Sequence, residues 1–208
     1  MLSSALLAMH ERVGASSRLT DVLACKRAFE VRTGAFGPED AWFEARSAAF
    51  LDDALSLQGM ARVIEEELAP EHRAYVTPLL RAHRGLFRVQ REGKKFLLSD
   101  AWSSVEFQIE PEDAGVVDAL KSASGCFVDG RVVAAMNAGH AEIALMPGAV
   151  FHSEDATSSI EALLPLARDR GLTTTATLDA LMRMDHALRS LSRVKPAFAY
   201  RAEALPRE

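Results

Sequence analysis

Two cysteines in 208 residues, Cys25 and Cys126, are too few and too far apart for a disulfide framework, so both are expected as reduced thiols. The histidines (His10, His72, His83, His140, His152 and His186) lack zinc-ligand spacing, since none stands two, three or four residues from another His or Cys. No apolar run approaches the ~18 residues of a membrane span. The stretch Met1 to Glu11 has no basic n-region and does not read as a signal peptide. These absences lead to the expectation of a cytoplasmic protein with no cofactor, no metal and no membrane partner. There is no G-x-S-x-G and no glycine-rich turn between a strand and a helix, so serine-hydrolase and phosphate-loop chemistry are not indicated. With a net charge of −5, general polyanion binding is not the default; any such role needs a local patch.

What is present is the balance of a globular protein, 49% apolar and 25% charged. Residues 1–84 read as helical. Leu2, Ala5, Leu6, Met9 and Val13 recur at helical steps. Thr20 or Asp21 can cap a second helix burying Val22, Leu23 and Phe29. Gly37-Pro38-Glu39-Asp40 predicts a helix from Pro38 to about Leu57, with Trp42, Ala45, Ala49, Phe50 and Leu51 on its stripe. Met60 to Leu68 and Glu71 to His83 read as further helices, the last broken by Pro78.

At Gly85 the period falls from about 3.6 to about 2. Residues 85–152 predict a small antiparallel sheet or barrel of five to seven short strands. Phe87 and Val89 fall on one face and Arg88 and Gln90 on the other. Val116 to Leu120 fits either a strand or a helical turn. Gly125 to Met136 reads as one long strand bulged at Asp129-Gly130, with a hairpin there as the alternative. Asn137-Ala138-Gly139 predicts a turn. Residues 153–208 predict two helices, the second running from about Ala176 to Ser192 with Leu191 on its stripe. Phe198 and Tyr200 follow in an extended tail. The expected class is α+β, with the flanking helices covering the sheet in one unit.

The strongest local signal is charge. Arg81, Arg84, Arg88, Arg91, Lys94 and Lys95 stand against Glu92 alone within residues 81–95. With Phe87, Phe96 and Trp102 they could pair phosphates while aromatics stack bases. The ordinary alternative is a face answered by the protein's own acids, with Glu65-Glu66-Glu67 or Glu110 to Asp113 as partners. Arg84-Gly85-Leu86-Phe87-Arg88 resembles the R-x-x-x-R motif of PilZ cyclic-dinucleotide receptors, which implies guanidinium groups holding phosphates. The D-x-S-x-x-G junction of that family is replaced here by Asp100-Ala101-Trp102-Ser103-Ser104-Val105. The order of elements, with its His83-Arg84-Gly85-Leu86-Phe87 junction, also resembles uncharacterised bacterial proteins that combine aromatic-rich helices with a small β-barrel. That resemblance implies a fold and no activity.

Remaining candidates are weaker. Cys126, His140 and Asp129 could form a nucleophile, base and orienter. Asp52-Asp53 and Asp179 with Asp185 read as solvated faces, and His83 and His152 as junction residues bonded to helix-end carbonyls. No acid, base and nucleophile converge, so no catalytic residue is assigned. The leading expectation is a non-catalytic interaction or regulatory protein whose partner is another protein. The alternatives are nucleic-acid or phosphorylated-ligand binding through residues 81–95, and an enzyme with a dispersed active site.

Overall fold

The change of period near Gly85 marks the joint of the architecture. In the computed structural model, which describes residues 2–15, 18–111, 113–137, 139–190 and 195–207, helices give way to strands at His83. Before the joint lie α1 (Leu2–Val13), α2 (Leu19–Thr33), α3 (Phe43–Ser56) and the short α4 (Met60–Val63), α5 (Pro70–Arg73) and α6 (Val76–Leu80). After it come β1 (His83–Glu92), β2 (Lys95–Asp100), β3 (Glu106–Ile109), α7 (Ala114–Ser122), β4 (Phe127–Asn137), β5 (His140–Leu145) and β6 (Val150–Phe151). Then α8 (Thr157–Asp169), α9 (Thr174–Ser190) and α10 (Pro196–Ala199) follow. The fold is α+β.

The strands form one antiparallel sheet in the order β3-β2-β1-β4-β5, with β6 also on β4. The sheet curls until β3 approaches β5, making a half-barrel. Its concave face buries Phe87, Val89, Phe96, Leu98 and Ile109, and α7 plugs it with Leu120. Each such side chain contributes about 1.5–3 kcal/mol when fully buried. The opposite face is also covered: Leu86 and Phe127 pack under Leu163, Leu178 and Leu181 of α8 and α9. The N-terminal helices close the far end of β4, where Val133, Ala135 and Val150 join Leu55, Val76 and Leu79.

Two glycines permit this packing. A Cβ on Gly85 would lie 2.7 Å from the Phe87 ring and 3.0 Å from the Asp100 carboxyl carbon. A Cβ on Gly148 would lie 2.3 Å from the Ala48 carbonyl oxygen, because the turn before β6 rests on the backbone of α3. That turn is pinned by Asp52, which accepts from Gly148 N at 2.7 Å and bonds His10 Nε2 at 2.7 Å.

Several expectations are corrected. The helix expected from Pro38 begins at Phe43, because Asp40 accepts from Gly37 N at 2.9 Å and folds residues 37–40 into a local turn. α2 starts at Leu19 with Arg18 at its N-cap and no side-chain cap from Thr20 or Asp21, and Leu23 is exposed. Of the two alternatives for Val116 to Leu120, the helical one holds: the segment belongs to α7, whose N-terminus is capped by Asp113 accepting from Val116 N. β4 is one strand as preferred, but its register with β1 runs one-to-one through Gly85 and Gly130, so no residue is inserted as a bulge. The tail is not extended: Pro196 opens α10, Phe198 is exposed and Tyr200 is buried against α9. Ala138 of the expected turn, and Leu191 and Ser192 of the expected last helix, lie outside the described residues.

Replacing Gly148 with Ala should force α3 away from the sheet. We expect a loss of about 1–3 kcal/mol, the usual cost of overpacking, read as a lower urea midpoint with an unchanged slope.

Candidate functional site

Strand alternation sends Arg84, Leu86 and Arg88 to the convex face of the sheet, where α8 and α9 lie. The Arg84 side chain is only 10% exposed. Its Nη1 donates to Asp179 Oδ1 at 2.6 Å, and Nη2 and Nε donate to Asp129 at 3.3 and 3.5 Å. Asp179 Oδ2 accepts from Arg32 Nη1 at 2.9 Å, and Arg32 Nη2 donates to Asp53 Oδ2 at 2.5 Å. Asp53 also accepts from Arg131 Nη2 at 2.7 Å and Gln58 Nε2 at 2.8 Å. Three carboxylates and three guanidinium groups thus alternate through the interior. Burial alone would pull the Arg84 guanidinium down, but Asp129 and Asp179 outweigh it and hold it above its ordinary value. For Arg131, burial and then the Arg84 charge prevail, and its value falls despite Asp53.

The rest of the basic stretch divides. Arg88 pairs with Glu161 of α8 and lies 4.9 Å from the Phe127 ring centroid. Arg91, Lys94 and Lys95 are exposed around the β1–β2 turn, with Arg91 Nε donating to Gly93 O and Lys95 Nζ to Gln108 Oε1. Arg81 precedes the other end of β1. At roughly 3.3 Å per residue, the strand separates Arg81 from that turn by about 30 Å. Phe87 and Phe96 are buried, and Trp102 lies under Arg168, 5.1 Å from its ring centroid. Of the expected acidic partners, Glu65 takes Arg62 and Glu67 takes Arg18, while Glu112 lies outside the described residues.

The acids expected on solvated faces, Asp52, Asp53, Asp179 and Asp185, are all buried. A usable signal was their place on apolar stripes. Arg46, Phe50 and Asp53 stand at helical steps in α3, as do Leu178, Leu181, Met182 and Asp185 in α9. Asp185 anchors a second polar cluster. It accepts from Arg189 Nε at 2.6 Å and from the Tyr200 hydroxyl at 3.3 Å, and that hydroxyl bonds His152 Nδ1 at 2.8 Å. Burial pushes the His152 imidazole below its ordinary value, more strongly than Asp185 raises it. The cluster resembles a relay but is sealed inside, and His152 bonds a side-chain hydroxyl rather than a helix-end carbonyl. Cys126 is buried in the half-barrel, His140 is exposed on β5 and Asp129 is committed to Arg84, so the three do not form one site. Among the described residues no three His, Cys, Asp or Glu side chains are grouped to hold a metal.

Arg81, one of the predicted residues, faces a cavity. Arg81, His83, Pro78, Phe107, Val132 and Met136 line a space of about 260 Å³ at the mouth of the half-barrel, between α6, β1, β3 and β4. Nothing in its wall is acidic. Arg81 has no carboxylate within ion-pairing distance among the described residues. Met136, at 72% exposure, stands at the rim. His83 is held from behind: its Nε2 bonds Asp100 Oδ2 at 3.0 Å, and its ring centroid lies 5.4 Å from that of Phe107. Asp100 is fully enlisted, accepting from Leu86 N, Trp102 N, Ser103 N and the Ser103 hydroxyl. Burial would raise its pKa, but the Ser103 hydroxyl, Trp102 N and His83 together hold it below the ordinary carboxylate value. His83 was expected to bond a helix-end carbonyl; the carboxylate at the end of β2 takes its place. A larger cleft of about 390 Å³, beside α1 and Leu68, is lined by charges of both signs, including Glu11, Arg12 and Glu67.

No family model, no curated protein and no solved structure matches this chain.

Because its folded-state pKa is depressed, Asp100 contributes stability that is complete above about pH 4. That contribution is lost as pH falls through the lower folded value. Asp100→Asn should therefore be less stable than wild type at pH 7, and the gap should close as the pH is lowered from about 4 toward 2. A gap constant with pH in urea titrations would contradict this.

Proposed function

We propose that the protein is a non-catalytic interaction module and that its docking surface is the mouth of the half-barrel. The observation that carries this reading is the pairing of an unanswered Arg81 with an apolar cavity whose rim carries the exposed Met136. The arginines of the buried network are answered by carboxylates of the protein itself. Here a cation and a half-buried histidine are left facing solvent beside an apolar wall. Such a juxtaposition suits recognition, in which an apolar anchor enters a pocket and a charge fixes its orientation. The size of the cavity fits the same reading. It falls below the ~300–1,000 Å³ of pockets that enclose drug-sized ligands, and it matches the insertion of one side chain from a larger partner.

Binding of nucleic acid or a phosphorylated ligand through residues 81–95 loses support from the buried pairing of Arg84 with Asp129 and Asp179 and from the surface pairing of Arg88 with Glu161. The exposed remainder sits at opposite ends of β1. An enzymatic reading would need a nucleophile beside His83, whose ring is already bonded to Asp100, and the lining of the cavity offers only the Thr77 hydroxyl.

A photoreactive side chain placed at position 136 should crosslink to one discrete partner in cells of the source. The same group at Leu166, exposed on α8, should not. Equal capture at both positions, or none at 136, would contradict the proposal.

A further inference from the structure

Building on the docking surface proposed above, we infer that the occupant of the half-barrel mouth is the C-terminal residue of a partner chain, an apolar residue whose free carboxylate pairs with Arg81. Three observations converge. The cavity is walled by Pro78, Phe107, Val132 and Met136, so its interior asks for an apolar group. Its polar residues include Arg81 and His83 and no acid, so the complementary charge is negative. Asp100 does not supply that charge to the cavity, because it is 2% exposed and already bonded by His83, Ser103 and three backbone N–H groups.

The volume decides how apolar group and anion must be joined. A space of about 260 Å³ takes both only if they are adjacent. In an extended segment, successive side chains point to opposite sides. An internal acidic residue next to an apolar one would therefore direct its carboxylate away from the cavity its neighbour enters, and one two residues along, on the same side, would stand about 7 Å away. A terminal residue carries carboxylate and side chain on one Cα and can present both together. Arg81 suits this role because a guanidinium can hold a carboxylate through two parallel N–H bonds. The exposed Met136 at the rim is placed to contact the preceding residue of the partner.

The test uses the whole protein with methyl-labelled Met and Ala, read on the resonances of Met136, Ala134 and Ala135. The probes are acetyl-Ala-Ala-Ala-Leu with a free carboxylate, the same peptide as its amide, and N-acetylleucine. The free-acid peptide should shift these methyls saturably. The amide should bind at least tenfold more weakly, and Arg81→Ala, at an exposed position, should cause the same loss without unfolding. N-acetylleucine should bind at least fivefold more weakly than the peptide. Equal binding of acid and amide would overturn the inference and leave the docking surface standing. Binding of N-acetylleucine as tight as the peptide would overturn the partner-chain assignment. No shift with any probe would overturn both the inference and the reading beneath it.

Discussion

The interior of this protein depends on an alternation of charge. Asp129, Arg84, Asp179, Arg32, Asp53 and Arg131 run in sequence through space, each ion held between opposite charges or at the end of the chain. Taking such groups out of water costs several kcal/mol per ion, and the cost is offset only when every member is paired. The members come from α2, α3, α9, β1 and β4. The network therefore ties the N-terminal helices to the sheet and the sheet to the C-terminal helices. Asp52 extends the same device. Neighbours on a helix point about 100° apart, so Asp53 turns to the network while Asp52 turns to His10 and the Gly148 turn.

This use of charge also shapes what is left for function. Arg84, in the basic sequence run, is drawn inward by carboxylates far away in the chain, while Arg88 is paired with Glu161 at the surface. Arg46 shows the same tendency without a carboxylate. Its Nη2 donates to the Thr33 and Gly34 carbonyls. Its other nitrogens have no hydrogen-bond partner, and the guanidinium lies 5.3 and 5.2 Å from the Phe29 and Phe36 ring centroids. Arg81 escapes because it precedes β1, beyond the reach of the helices that cover the convex face. Its freedom is a by-product of where the strand begins, and it falls beside a cavity with apolar walls and no acid.

The fold was largely legible in the sequence because periodicity is local. The drop in period at Gly85, the alternation around Phe87 and Val89 and the stripe of Leu2, Ala5, Leu6 and Met9 all survive in the structure. Strand pairing and the burial of both sheet faces were not legible, since they depend on partners distant in the chain. The polar interior was misread for a related reason. Asp53 and Asp185 occupy positions on apolar stripes, but an acid in such a place declares itself buried only when its cation is known. Arg32 and Arg131 lie 21 and 78 residues from Asp53. Likewise, Arg81 could be named from composition as one of six cations. Its separation from Arg84 and Arg88 rests on register and on the helices packed over β1.

Arg84 and Asp179 hold α9 to the sheet through a buried ion pair. A double-mutant cycle with Arg84→Met and Asp179→Asn, followed by equilibrium urea unfolding, tests it most directly. Arg84→Met removes the cation shared by Asp129 and Asp179, and Asp179→Asn removes the acid shared by Arg84 and Arg32, so the two losses overlap at the Arg84–Asp179 contact. They should be coupled by about 1–3 kcal/mol, with the double variant more stable than the sum of the singles implies. Additive losses, within about 0.5 kcal/mol, would contradict the network as the tie between these elements.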